Sequence, residues 1–112
     1  LNKKKIYSLL GLATKAGKVQ SGEFSVEKTV KSGRGFLVLV AEDSSANTKK
    51  MFTNMCTFYE VPLYFFGTKS ELGHAIGKEQ RASLVLLDEG FAKSIMKQLD
   101  SIENGGSVDV KN

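Results

Sequence analysis

Apolar residues Ile6, Leu9, Leu10 and Ala13 recur at helical spacing between Lys3 and Ala16, and Gly17 stops the pattern. Val19 to Ser21 is a short strand candidate, followed by a helix from about Gly22 to Ser32 that Gly33 closes. Phe36 to Ala41 (FLVLVA) is a continuous apolar run, the signature of a central strand buried on both faces. A third helix is predicted from Asn47 to Tyr59, burying Met51, Phe52, Met55, Cys56 and Tyr59. Pro62 introduces a strand from Leu63 to Phe66, and a short helix from Ser70 to Ile76 follows, with Ser70 and Glu71 at its start and Gly77 after its end. Ser83 to Leu87 reads as another buried strand. Gly90 to Leu99 reads as a last helix that turns Phe91, Ile95 and Leu99 inward.

Helices alternating with short apolar strands predict an α/β domain with helices on both faces of a four-stranded sheet. At 112 residues the chain holds one modest core. The expected organisation is a single domain over residues 1–102 and a flexible tail over 103–112 (ENGGSVDVKN) of turn-rich, polar composition.

Charge changes the picture more than composition does. The chain is 41% hydrophobic and 25% charged, which is ordinary, with a net charge of +4. Residues 1–50 carry ten Lys/Arg against four Asp/Glu, whereas residues 51–112 carry six against eight. A positive half beside a slightly negative half points to an electrostatic footprint for an acidic partner. No apolar run approaches the roughly 18–20 residues of a membrane span, and no signal-peptide core follows Leu1. A single cysteine excludes an internal disulfide, and the expected setting is the reducing cytoplasm.

The chemistry concentrates in the second helix. Val26, Thr29, Val30 and Gly33 share the face that must pack on the sheet, while Phe24, Lys28 and Lys31 fall opposite. A glycine-led helix start presents backbone N–H groups suited to phosphate. Phe24 can stack on an unpaired base while the lysines neutralise phosphates, or it can fold back as a hydrophobic staple. The link Gly77-Lys78-Glu79-Gln80-Arg81 supplies further donors, although such polar links are common in α/β proteins. Glu42-Asp43 and Asp88-Glu89 each follow a strand. They read first as helix caps, Asp43 with Ser44 before the third helix and Asp88 or Glu89 before the fifth, and second as Mg²⁺ or acid/base carboxylates. The single histidine, His74, is expected to face outward, and Cys56 falls on a core stripe. One of each leaves no zinc cluster. No Walker A or dinucleotide fingerprint occurs, and Gly33-Arg34-Gly35 reads as a turn.

Gly17-Lys18-Val19, Gly22, Lys28, Gly33, Leu37-Val38 with Ala41-Glu42-Asp43, Val61-Pro62, Leu72-Gly73 with Ala75-Ile76-Gly77, and Glu89-Gly90 occur in a telling order from about Leu9 to Phe91. On these residues the chain resembles the ribosomal kink-turn RNA-binding superfamily of the archaeal large subunit and box C/D particles, and it is especially similar to bacterial YlxQ-like members. The resemblance implies a three-layer α/β/α sandwich around a mixed four-stranded sheet. It also implies no catalysis, no cofactor or metal, and docking on a sharply bent RNA, with rRNA or another structured RNA as partner. By position, Gly22, Glu23, Phe24, Ser25 and Lys28 form one contact region and Gly77 to Arg81 the other. The helix face of Phe24, Lys28 and Lys31 would press on the RNA, with Lys15 and Lys18 adding long-range attraction.

The family pattern places Asn-Glu where this chain has Phe24-Ser25. Phe cannot hydrogen-bond, and each lost charge-assisted bond costs about 1.5–3 kcal/mol, roughly ten- to a hundredfold in affinity. The phosphate-positioning half of the site is therefore kept better than its base-reading half. Three readings follow. The first is a monomeric, cytoplasmic, ribosome-associated RNA binder. The second is a protein-interaction module of the same fold, which an exposed Phe24 would suit. The third is a small Mg²⁺ enzyme that requires Glu42, Asp43 and Asp88 to converge.

Overall fold

The computed structural model describes residues 2–106. The chain runs α1 (Asn2–Lys15), β1 (Val19–Ser21), α2 (Glu23–Lys31), β2 (Leu37–Val40), α3 (Ala46–Tyr59), β3 (Leu63–Phe65), α4 (Lys69–Ala75), β4 (Ser83–Leu86) and α5 (Glu89–Gly106). The strands form one mixed sheet in the order β1-β4-β2-β3, with β2 parallel to β3 and antiparallel to β4, and β1 antiparallel to β4. This is the expected α/β/α sandwich.

The continuous apolar run of β2 is explained by its two buried faces. Leu37 and Leu39, with Ala41 beyond them, join Leu84 and Leu86 of β4 against Ile6, Leu10 and Ala13 of α1, Leu72 of α4, and Ile95 and Leu99 of α5. Val38, Val40 and Val85 point the other way, onto Val26 and Val30 of α2 and Phe52, Met55 and Cys56 of α3. The period-two alternation of the strands thus sorts the core into two clusters.

Local details depart from the sequence expectations at element ends. Phe36 lies before β2 and is half-exposed. Tyr59, expected inside, is exposed: the chain reverses at Glu60 (φ 58°) and leaves the last turn of α3 outward, with the Tyr59 ring edge-on to Phe58 at 4.8 Å. The start of α4 is set by Thr68 rather than Ser70, because Thr68 Oγ1 accepts from the Glu71 N–H while Glu71 Oε1 accepts from the Thr68 N–H. Phe91 is only half-buried, and Ala92 takes the inward place. Helix α5 passes Leu99 and continues to Gly106, so residues 103–106 are helical where a tail was expected. Ile102 extends the apolar stripe of Ile95 and Leu99. Residues 107–112 of that expected tail lie outside the described residues.

Candidate nucleic-acid interface

Strand register brings three helix starts to one edge of the sheet. Ser21 lies opposite Leu84, and Val40 lies opposite both Ser83 and Phe65. The ends of β1, β2 and β3 therefore share an edge with the start of β4, and α2, α3 and α4 all begin there. Each helix start concentrates unpaired N–H groups and the positive end of the helix dipole.

The three starts are finished differently. At α3 the cap is Ser45, whose Oγ accepts from the Thr48 N–H at 3.1 Å, not Asp43 or Ser44. At α4, besides the Thr68–Glu71 box, Asp43 Oδ1 accepts from the Lys69 N–H at 2.9 Å. Asp43 does cap a helix, but the one after the next strand. At α2 the capping position is Gly22 (φ 94°, ψ 147°), which has no side chain to offer. The first intrahelical bond there runs from the Val26 N–H to the Gly22 carbonyl at 2.9 Å. Helix geometry leaves the N–H groups of Glu23, Phe24 and Ser25 facing the edge without a side-chain cap. A non-glycine residue would strain at this φ, so the open start is built into the backbone.

The second predicted region is brought against the first. Gly73 of α4 lies so close to the 78–80 backbone that a Cβ there would collide with the Glu79 carbonyl, while the Lys78 N–H donates to the Gly73 carbonyl at 2.8 Å. Glycine at position 73 lets the loop lie down on the helix. The Arg81 N–H donates to the Lys69 carbonyl at 3.0 Å, and Arg81 Nε donates to Ser21 Oγ at 3.1 Å. The Gly22 N–H donates to the Ser83 carbonyl at 3.1 Å. Gly77, Lys78, Glu79 and Gln80 are exposed beside this junction. Arg81 is half-buried and spends its guanidinium on Ser21 and the Gln80 carbonyl, so it ties the loop to the strand that feeds α2.

Phe24 is 78% exposed, which excludes the staple and leaves its ring beside the open helix start. With Ser25, Lys28 and Arg34 it walls a hollow of about 220 Å³, floored by Gln20 and Leu87. Lys31 does not line that hollow. Its Nζ donates to Glu27 Oε2 at 2.7 Å, which raises its pKa, and it borders a different groove with Met51, Met55, Phe58 and Tyr59. Lys18 sits at the opposite end of the sheet, where Val19 pairs with Leu86. Sequence patterning does not assign Gln20, Arg34 or Leu87 to this site. Arg34 between two glycines gave only a turn signal, and nothing in that signal says that the turn folds back beside α2.

The carboxylates do not converge. Glu42 and Asp43 follow β2 at the edge where the helices start, whereas Asp88 follows β4 at the other end of the sheet, since β2 and β4 are antiparallel. Asp88 Oδ2 accepts from the Phe91 N–H at 2.8 Å, the helix cap expected of it. Among the described residues no group of three His, Cys, Asp or Glu is placed to hold a metal ion. The geometry that a Mg²⁺ enzyme required of Glu42, Asp43 and Asp88 is not met. His74 is exposed. Cys56 is buried, and burial pushes its thiol up to about 11, away from nucleophile chemistry.

Comparison with known proteins agrees with this architecture. The Bacillus subtilis RNA-binding protein YlxQ is 44% identical over 94 residues, covering 84% of this chain and 94% of that protein. The large ribosomal subunit protein eL8 of Picrophilus torridus is 31% identical over 109 residues, 93% of this chain and 86% of the relative. A solved structure from Bacillus halodurans, of a protein with unknown function, superposes with a TM-score of 0.83 at 36% identity, covering 86% of this chain and 97% of its own. The sequence profile of the ribosomal protein L7Ae/L30e/S12e/Gadd45 family matches residues 4–96, and the chain belongs to that family.

Proposed function

We propose that this chain is a non-catalytic RNA-binding protein that docks on a sharply bent, kink-turn-like RNA through the start of α2 and the 77–81 loop. The observation that carries this reading is the uncapped start of α2, held beside the 77–81 loop by Arg81 and flanked by Phe24 and Lys28. Family membership supports it, as does the name of the Bacillus subtilis relative, an RNA-binding protein.

The N–H groups of Glu23, Phe24 and Ser25 receive a phosphate, and the N-terminal dipole of α2 favours its charge. Lys28 and Lys78 neutralise neighbouring phosphates, and Gln80 offers an amide to a sugar or base edge. Phe24 replaces the hydrogen-bonding of the family's Asn by stacking on an unpaired base, an interaction worth about 1–3 kcal/mol. Arg81 positions the loop rather than touching RNA directly. The protein acts as a cytoplasmic monomer without a cofactor, on rRNA or a comparably structured RNA. Among the described residues no helix is long and apolar enough to cross a membrane.

The test is titration against a kink-turn RNA and an unkinked duplex of equal length at two salt concentrations. Preference for the kink-turn is the expected result. Equal, salt-sensitive affinity for both would reduce the protein to a phosphate reader, and no binding to either would overturn RNA recognition. In that last case the groove between α2 and α3, with Phe58 76% exposed beside Met51 and Met55, favours a protein partner instead.

A further inference from the structure

The hollow beside Phe24 does not stand alone. A second hollow, of about 360 Å³, is bordered by Lys18, Gly33 and Phe36, and it shares Arg34 and Leu87 with the first. The two form one trough. Its course follows from register: β1 pairs with β4 alone, and it runs from Val19 beside Leu86 to Ser21 beside Leu84. Helix α2 returns along it. The trough therefore leaves the open start of α2 at Phe24 and ends at Lys18 and Phe36, at the other end of the sheet.

Its lining has a consistent chemistry. Lys28, Arg34 and Lys18 are spaced along it, and among the described residues no aspartate or glutamate borders either hollow and none of the three cations is in an ion pair. Arg34 spends Nε on Ser32 Oγ at 3.2 Å, and its terminal nitrogens are not drawn to a carboxylate. An exposed aromatic ring stands at each end, Phe24 and the 38%-exposed Phe36, with the Gln20 amide between. Regularly placed cations with aromatic faces and few other features are what a single strand of nucleic acid needs: charge for its phosphates and π-faces for its bases.

We infer that this trough is a binding track for a short run of unpaired RNA that continues from the structured element bound at the start of α2. The inference rests on the RNA-binding reading and adds to it a second footprint. Its ligand is single-stranded, and its distinguishing residues are Arg34, Phe36 and Gln20. Charge complementarity selects the occupant, because all the charge that the described residues bring to the trough is positive.

The test uses the full chain, isotopically labelled, with two probes: octauridylate and a blunt-ended kink-turn RNA. Octauridylate is expected to shift the amide signals of Lys18, Gly33, Arg34 and Phe36. Arg34→Gln, a change at an exposed turn, is expected to weaken octauridylate about tenfold and to reduce its salt slope by about 0.7, the single-strand value per phosphate. Affinity for the blunt kink-turn RNA should stay within twofold. The track is overturned if octauridylate does not bind, if its shifts are confined to residues 22–25 and 77–81, or if Arg34→Gln leaves octauridylate unaffected or weakens both RNAs alike. Binding of octauridylate in the trough with no preference for the kink-turn would instead sink the bent-RNA reading and leave the track standing.

Discussion

The two faces of the sheet are finished to different standards. On the α1/α4/α5 side, fourteen buried residues among those described form one cluster around Leu37, Leu39, Leu84 and Leu86. On the α2/α3 side the cluster has eight, and hollows of about 220, 360 and 330 Å³ open on or beside α2. The most exposed aromatics, Phe24 and Phe58, are on that second side as well. Among the described residues the larger cluster lies on the first face, and on the second the hollows flank α2 where a partner can reach them. The difference begins in the two central strands, where the leucines of β2 and β4 face the first layer and their valines the second.

Core truncation is the largest way to probe this division. Leu84→Ala, fully buried in the larger cluster, should cost about 2–5 kcal/mol. Val30→Ala, beneath the open face, removes about two buried methyl-sized groups at ~0.8 kcal/mol each plus a small cavity term. Urea unfolding of the two variants measures the contrast, and equal losses would erase it. Next comes Gly73→Ala, where the clash with the Glu79 carbonyl should cost about 1–3 kcal/mol as overpacking. Because the loop must lift, RNA affinity should fall with stability.

Phe24 and Phe58 make the cleanest pair, being equally exposed on the same side of the sheet. Phe24→Ala should leave stability within about 0.5 kcal/mol and weaken RNA binding by about 1–3 kcal/mol. Phe58→Ala should change neither. If both changes weaken RNA alike, the footprint spans α2 and α3 and the trough is not its boundary. Smaller still is the contrast between lysines. Lys28→Ala should lower the salt slope of binding by about one unit. Lys31→Ala should lower it by less, because Glu27 already holds that ammonium at 2.7 Å.

These contrasts also mark where sequence reasoning reaches and where it stops. Periodicity places the helices and strands, and the run Phe36–Ala41 reads as a doubly buried strand, which the fold trims to Leu37–Val40. The glycine at position 22 likewise marks an open helix start in the sequence itself. Which residues surround that start is another matter. Asp43 looks like a cap for the helix that follows it, yet it crosses to Lys69, because parallel pairing of β2 and β3 brings the start of α4 alongside. Arg34 and Gln20 reach the trough only through the fold-back of the 33–36 turn and the register of β1. Arg81 reads as a donor in a polar link, and its bonds to Ser21 and the Gln80 carbonyl become visible only in the fold. Local signals carry elements, while shared edges and the caps that cross them belong to tertiary pairing, which one-dimensional spacing does not encode. The relation between Phe24 and Lys31 shows the same limit: helical angle puts them together, and Glu27 draws Lys31 away.

The finest probe is pH, acting on a link between α1 and α4. The Tyr7 hydroxyl donates to Glu71 Oε1 at 2.7 Å, the Thr68 N–H adds a second bond at 3.1 Å, and Lys3 Nζ approaches to 3.8 Å. The hydrogen bond from Tyr7 is the main force holding the Glu71 carboxyl below its ordinary range, against a smaller opposing effect of burial. A depressed folded pKa means that the stabilisation is complete above the unfolded value of about 4.3 and is lost as pH falls through the lower folded value. Glu71 is partly exposed, so solvent screening keeps the effect to about 0.2–1 kcal/mol. On the alkaline side the sign reverses. Burial first, and Glu71 second, raise the Tyr7 pKa, so its contribution holds below the unfolded value of about 10 and is lost as pH climbs beyond it. Glu71→Gln should therefore melt below the wild type near neutrality and approach it in acid, while Tyr7→Phe should flatten the alkaline limb. Neither change should move RNA affinity at pH 7 by more than about twofold, since the link fastens helices on the closed side. An affinity that followed the titration of Glu71 would show that the closed face tunes the open one, and the division between them would have to be given up.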